Sequence, residues 1–162
     1  MFTTEERRTK ITTFRAVPDQ LDTLVSELSA TDLTTAFIEG EWTVAQNIHH
    51  LADAHLNAYM RFKFILLEDR PPLKRYNQDD WAMTADSQQA DISVSMQIIR
   101  GLHGRWSDLM QSLVDDNDVW ARASKYPDSK DLSLDYLLNG YVNHSANHIE
   151  QIEKTLAARW VV

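Results

Sequence analysis

The chain has 162 residues, and its 24 acidic side chains against 16 basic ones give a formal charge of −8. That length suits one domain with a sizeable core, and an acidic field with no offsetting basic stripe argues against nucleic acid or anionic membranes as partners. The absence of cysteine rules out a disulfide, a thiolate zinc site or an internal thiol nucleophile, and 4 glycines with 4 prolines, against roughly 12% combined in an average protein, favour long helices over a turn-rich β fold.

Met1 to Arg8 contains no apolar core of signal-peptide length. Residues 4–15 predict a short first helix. Pro18 either interrupts it or starts the next one, whose stripe is Leu21, Leu24, Val25 and Leu28. Residues 29–40 read as a linker in which Thr31-Asp32 can cap a short turn. Residues 43–68 predict one long helix, with Val44, Ile48, Leu51, His55, Tyr59, Phe62 and Leu66 spaced by threes and fours. Thr43 can cap it, but Gln46 three residues on is the weaker partner, so an incomplete capping box is expected. The longest apolar run, Phe64-Ile65-Leu66-Leu67, falls far short of the ~20 residues that span a bilayer. Pro71-Pro72 ends the helix, and residues 73–90 form a polar connection long enough to be functional or to hold a small helix.

A third long helix is expected over 91–115, with Ile92, Met96, Ile99, Leu102, Trp106, Leu109 and Leu113 as its stripe. Residues 116–132 read as irregular, with a turn at Pro127-Asp128-Ser129. The last helix, 133–158, starts at a Ser133 cap and buries Leu134, Leu137, Leu138, Tyr141, Val142, Ser145, His148, Ile149, Ile152 and Leu156. The expected fold is all-α: a single-domain four-helix bundle over residues 1–162, with a long crossover between the second and third helices. A soluble cytoplasmic protein is expected.

Histidines carry the chemistry. His144 and His148 stand four apart, so on a helix both rings share one face. With a third imidazole from a facing helix they make a tripod for a divalent metal, and three protein ligands leave positions open for reactants. A lone helical histidine is usually just hydrogen-bonded, and Ser145-Ala146-Asn147 between the pair supplies no glutamate base of the zincin kind. His50 is the natural third ligand. Its face carries Thr43, Asn47, Ala54, Asn57 and Arg61, a polar strip that lines either a wet cavity or solvent. His49 lies about 100° and His55 about 140° round from it at ~3.6 residues per turn. His55 falls on the apolar stripe as a buried, hydrogen-bonded ring, and His103 on the third helix is the main rival to His50. Three histidines without a nearby carboxylate suit Zn²⁺ or Ni²⁺ over Mg²⁺ or Ca²⁺.

The run from Glu41-Trp42-Thr43-Val44 through Asn47-Ile48-His49-His50-Leu51 to Arg61-Phe62-Lys63 resembles the second helix of DinB-like proteins, and most closely their YfiT subgroup. Tyr76-Asn77-Gln78-Asp79-Asp80-Trp81-Ala82-Met83, Gly101-Leu102-His103-Gly104-Arg105-Trp106, Pro127-Asp128-Ser129 and Tyr141-Val142-Asn143-His144-Ser145-Ala146-Asn147-His148-Ile149 match in order, so the similarity covers residues 19–158. The resemblance implies an up-down-down-up bundle, a homodimer, and a divalent metal on His50, His144 and His148 completed by water. His50, followed by Leu51 as the pattern requires, takes the position over His49. Two departures stand out: Tyr126 where close relatives tend to have histidine, and Asn147 in place of a further histidine.

The implied activity is hydrolysis of a small substrate or transfer of a low-molecular-weight thiol such as bacillithiol. A three-histidine metal can acidify either a water or a small thiol, and a chain without cysteine must take its sulfur from a co-substrate. Asn57 and Arg61 are candidate substrate contacts and Gln151 a hydrogen-bonding support for His148; Tyr76 and Trp81 can roof the pocket. Glu150 points round the helix from His148, and no general base is assigned. The alternative is a non-catalytic metal-binding or stress-related bundle that acts by small-molecule binding or dimerisation.

Overall fold

The computed structural model describes residues 1–126 and 130–159. Its first element overturns an expectation. Helix α1 runs unbroken from Thr4 to Val25, with Pro18 inside it. A proline there removes one backbone hydrogen bond and ordinarily costs about 3 kcal/mol. The stripe Ile11, Phe14, Val17 and Leu21 is buried on both sides of the proline, and that continuous burial outweighs the local preference to stop. The carbonyl that Pro18 leaves without a donor, Phe14 O, accepts from His103 Nδ1 at 2.7 Å instead.

Helix α2 (Ala30–Thr34) is a single capped turn. Its cap is Ser29, with Asp32 as the reciprocal partner, so the cap lies two residues before the predicted Thr31. Helix α3 (Val44–Leu67) begins with a complete capping box. Gln46 N donates to Thr43 Oγ1 at 3.2 Å and Thr43 N to Gln46 Oε1 at 3.0 Å. The expected incompleteness was wrong: the Gln46 side-chain carbonyl reaches back to the Thr43 N–H, so both reciprocal bonds form. The connection after α3 holds the short α4 (Gln78–Ala82). Helix α5 (Ser93–Ser112) is followed by α6 (Asn117–Ala121). Strands β1 (Ala123–Ser124) and β2 (Leu132–Ser133) pair antiparallel, Ala123 opposite Ser133, so the stretch expected to be irregular holds a helical turn and a small ladder. The predicted turn at Pro127-Asp128-Ser129 lies outside the described residues. Helix α7 (Leu134–Ala158) starts at Ser133, whose hydroxyl accepts from Tyr136 N at 3.1 Å.

The four long helices form a square in which α1 and α3 are diagonal, as are α5 and α7. Side-chain pairs give the directions. Arg8 meets Asp115 and Arg15 meets Asp108, so α1 and α5 are antiparallel. Arg7 meets Asp135 and Lys10 meets Asn139, so α1 and α7 are parallel. Asn47 meets His148 and Arg61 meets Tyr141, so α3 and α7 are antiparallel. His49 meets Ser95 and His55 meets His103, so α3 and α5 are parallel. The topology is up-down-down-up. Parallel neighbours cannot be joined by a tight turn, and the crossover must return along α3, about 36 Å at ~1.5 Å per residue. Among the described residues no helix is long and apolar enough to cross a membrane.

The apolar core falls into two clusters. One gathers Phe14, Phe62, Trp106, Trp120 and Leu134; the other gathers Leu21, Val44, Ile48, Ile99 and Ile152. Between them, at mid-height, lies a polar layer of histidines.

Candidate metal centre

Residues 44–52 of α3 are buried without interruption, because α2, α4, α5 and α7 all close over this segment. Polar side chains in such a stretch need partners inside the protein, and each has one. Gln46 Nε2 donates to Ala82 O at 3.3 Å. His49 is held by Ser95 Oγ at 2.8 Å and Gln89 O at 3.1 Å, turned away from α7. Asn47 Nδ2 donates to Thr43 O at 2.9 Å, which leaves Asn47 Oδ1 to face His148 Nδ1 at 2.7 Å. His50 faces His144, Nε2 to Nε2, at 3.2 Å.

The antiparallel α3 and α7 thus bring His50, His144 and His148 together. Their ring centroids are 4.5, 4.7 and 5.3 Å apart. One ligand atom from each lies within 4.8 Å of the others, the only such convergent group of three among the described residues. Two nitrogens bound to one tetrahedral ion at ~2.05 Å stand about 3.3 Å apart, close to the 3.2 Å between His50 and His144. Trp42, just ahead of the Thr43 cap, walls the cluster. Its ring is 4.8 Å from His50 and lies parallel to His148, 6.1 Å away with 10° between planes.

His103 and His55 are fully buried behind His144. His55 Nε2 meets His144 Nδ1 at 3.1 Å, and His55 Nδ1 meets His103 Nε2 at 2.7 Å. His103 therefore sits two rings back from the convergent nitrogens, not among them. His55, about 140° round α3 from His50, stays outside the convergent group and touches it only through His144.

Burial is the first cause of every pKa change here, because removing an imidazolium from water disfavours its charge. It lowers His50 to about 4, helped by the nearby His148. His144 falls to about 3, with His148 and His50 adding to the effect. His148 falls to about 4, a hydrogen bond with the Gln151 side chain pulling the other way. His103 falls to about 4, opposed by its bond to Phe14 O, and His55 lies well below its ordinary value. The rings are neutral at physiological pH, the form that binds metal.

The remaining candidates fall further out. Arg61 is buried, its Nη1 donating to Tyr141 Oη at 3.3 Å and Nη2 to Lys74 O at 3.0 Å, with the rings of Tyr76 and Tyr126 5.8 and 5.4 Å from the guanidinium carbon. Asn57 is half-buried and donates to Asp53 O at 2.9 Å within its own helix. Tyr76 packs on the exposed Trp81 at 4.6 Å, and burial raises its hydroxyl to about 12. Glu150 is exposed and paired with Lys154. Residue patterns missed the wall formed by Trp42, the hold of Asn47 on His148 and the His55–His103 link. Only the unusual count of histidines on interior stripes hinted at the last.

A family model described as the DinB superfamily matches residues 13–152. "Putative metal-dependent hydrolase YfiT" of Bacillus subtilis is 38% identical over 149 residues, covering 91% of this chain and 83% of that protein. A Halalkalibacterium halodurans protein given the same hydrolase name is 35% identical over 140 residues, 86% of this chain and 80% of that protein. The solved structure of the B. subtilis YfiT, described as having an unusual four-helix bundle topology, superposes with a TM-score of 0.91 at 35% identity, covering 96% of this chain and 88% of that one.

Proposed function

This chain belongs to the DinB superfamily, and from that premise we propose that it is a divalent-metal-dependent enzyme whose ion is held by His50, His144 and His148. One observation carries the reading: three neutral imidazoles present nitrogens within 4.8 Å of one another. An all-nitrogen donor set fits Zn²⁺ or Ni²⁺ and fits the oxygen-preferring Mg²⁺ and Ca²⁺ poorly. When bound, such an ion supplies Lewis acidity that lowers the pKa of a water or a small thiol and polarises the substrate.

The chain's own residues bind and orient. Asn47 holds His148 by its Nδ1, and His55 holds His144 in the same way, so both rings keep Nε2 directed inward. Trp42 shields the cluster on one side. Arg61 keeps a fixed positive charge on the face of α3 that also carries His50, suited to an anionic part of the substrate. Asn57 lies between them on that face, a second polar contact, and Gln151, three residues on from His148, is a further candidate contact for water or substrate beside the centre. The reaction is hydrolysis of a small substrate, or transfer of a low-molecular-weight thiol onto an electrophile. In the second case the sulfur belongs to the co-substrate, since the chain has no cysteine. We place the activity in the cytoplasm, in a homodimer. The outward stripe Leu56, Met60, Phe64 and Leu67 on α3, each 41–70% exposed, supports a second copy as its cover, and Phe64→Glu is expected to yield a monomer in sedimentation.

Elemental analysis of the purified protein is expected to find one equivalent of transition metal per chain, lost in the His144→Ala/His148→Ala double variant. The metal-loaded protein should turn over members of a panel of esters, amides, and thiol–electrophile pairs. A wild type that holds no metal, or turnover that survives His50→Ala, overturns the assignment.

A further inference from the structure

Behind the convergent nitrogens, one residue from each of the four long helices joins a single line of hydrogen bonds. Phe14 of α1 offers its backbone oxygen to His103 Nδ1 of α5 at 2.7 Å. His103 Nε2 meets His55 Nδ1 of α3 at 2.7 Å. His55 Nε2 meets His144 Nδ1 of α7 at 3.1 Å. His144 Nε2 then faces His50 at 3.2 Å. The rings are also stacked: Phe14 on His103 at 3.9 Å and 5° between planes, His103 on His55 at 4.9 Å and 15°.

The direction of this line follows from its anchor. A carbonyl oxygen only accepts, so His103 Nδ1 carries the proton. A neutral imidazole has one N–H, so His103 Nε2 is a lone pair and accepts from His55 Nδ1–H. By the same rule His55 Nε2 accepts from His144 Nδ1–H, and His144 Nε2 is left as a lone pair turned toward His50 and His148. The anchor is available because Pro18, four residues after Phe14, has no N–H to give the helical carbonyl.

We propose that His55 and His103, anchored on the Phe14 carbonyl that Pro18 leaves free, are positioning residues that hold His144 as its Nδ1–H tautomer and thereby set the affinity of the three-histidine centre for a divalent transition metal. The inference rests on the reading of His50, His144 and His148 as ligands. It goes further in assigning a role to His103, which touches none of the three. If His144 carried its proton on Nε2, its inward nitrogen would have no lone pair to give. Fixing the second nitrogen of a metal-ligating histidine is worth about 10- to 100-fold in metal affinity.

Two measurements test this. Ring ¹⁵N chemical shifts of the metal-free wild type report tautomers directly. They are expected to show His103, His55 and His144 all protonated at Nδ1, and an Nε2–H form at any of the three overturns the relay. This experiment needs no variant to fold. Competition with a chromophoric chelator then gives the Zn²⁺ or Ni²⁺ affinity of His103→Leu, a variant two rings removed from the ligands, with circular dichroism to confirm its helices. An affinity about 10- to 100-fold weaker than wild type, together with a mixed His144 tautomer, is expected. One equivalent bound equally tightly by wild type and His103→Leu overturns the relay and leaves the metal site standing, whereas no metal bound by the wild type overturns both.

Discussion

At the scale of single residues, the histidine cluster is governed by a strict count of protons. Each buried neutral ring has one donor and one acceptor, so every partner decides which nitrogen is left over. His148 gives its Nδ1–H to Asn47, whose amide is itself oriented by Thr43 O. Replacing Asn47 with alanine removes that acceptor. We expect it to weaken metal binding by roughly 10-fold, as loss of a ligand's supporting partner does, and to destabilise the metal-free protein by about 1–3 kcal/mol through the orphaned donor. Isothermal titration with Zn²⁺ and chemical denaturation would check the two numbers, and unchanged affinity would contradict the role given to Asn47. The His144/His148 pair was legible from spacing alone, because the helical period is local. That Asn47 sits opposite His148 was not, since residues 101 positions apart meet only through the crossing of two helices.

At the scale of elements, the long helices follow from apolar spacing, and their starts follow from side chains that satisfy the free N–H groups of the first turn. The Thr43 cap sits directly before the buried segment that carries His50. Thr43→Ala should cost about 1 kcal/mol and is expected to lower the thermal midpoint by a few degrees without abolishing metal binding; a neutral effect would show that packing alone holds the start of α3. Pro18 marks where local reading failed. Propensity argues for a break, but Ile11, Phe14, Val17 and Leu21 stay on one buried face across it, and His103 satisfies the carbonyl that the proline strands. The apolar spacing is local, but the His103 bond comes from another helix and has no trace in the sequence near residue 18.

At the scale of the whole molecule, one buried ion pair ties the start of α1 to three other segments. The Arg7 guanidinium reaches Asp135 through Nε at 2.8 Å and Nη2 at 3.2 Å, and through Nη1 it reaches Asn117 Oδ1 at 2.8 Å and Val114 O at 3.3 Å. Removing one member strands the other charge, so Arg7→Met is expected to cost about 3–5 kcal/mol, and the Arg7→Met/Asp135→Leu double variant markedly less. Equal losses in both variants, measured by urea denaturation, would contradict the burial argument. The histidine layer also makes stability depend on pH. Imidazoles at about 3 to 4 when folded, against 6.5 for the ordinary group, bind fewer protons than the unfolded chain between those limits. Stability of the metal-free protein is therefore fully present above pH ~6.5 and is lost as pH falls toward 4, by at most about 1.4 kcal/mol per pH unit for each histidine. A denaturation midpoint unchanged between pH 7 and pH 5 would be incompatible with buried neutral rings.

What the amino-acid order determined by itself is what short-range periodicity controls: an all-helical bundle, the stripes that face its core, the cap at Ser133, and two histidines one turn apart on the last long helix. Resemblance to the DinB family added the identity of a third. Only the tertiary structure decided which rings meet. Spacing left His50 and His103 as rivals; the antiparallel contact of α3 with α7 puts His50 against the pair, and the parallel contact of α3 with α5 puts His103 behind His55. Periodicity specifies the face a side chain occupies on its own helix, whereas convergence depends on how helices from distant parts of the chain pack, and that is decided by the burial of the two apolar clusters on either side of the histidine layer.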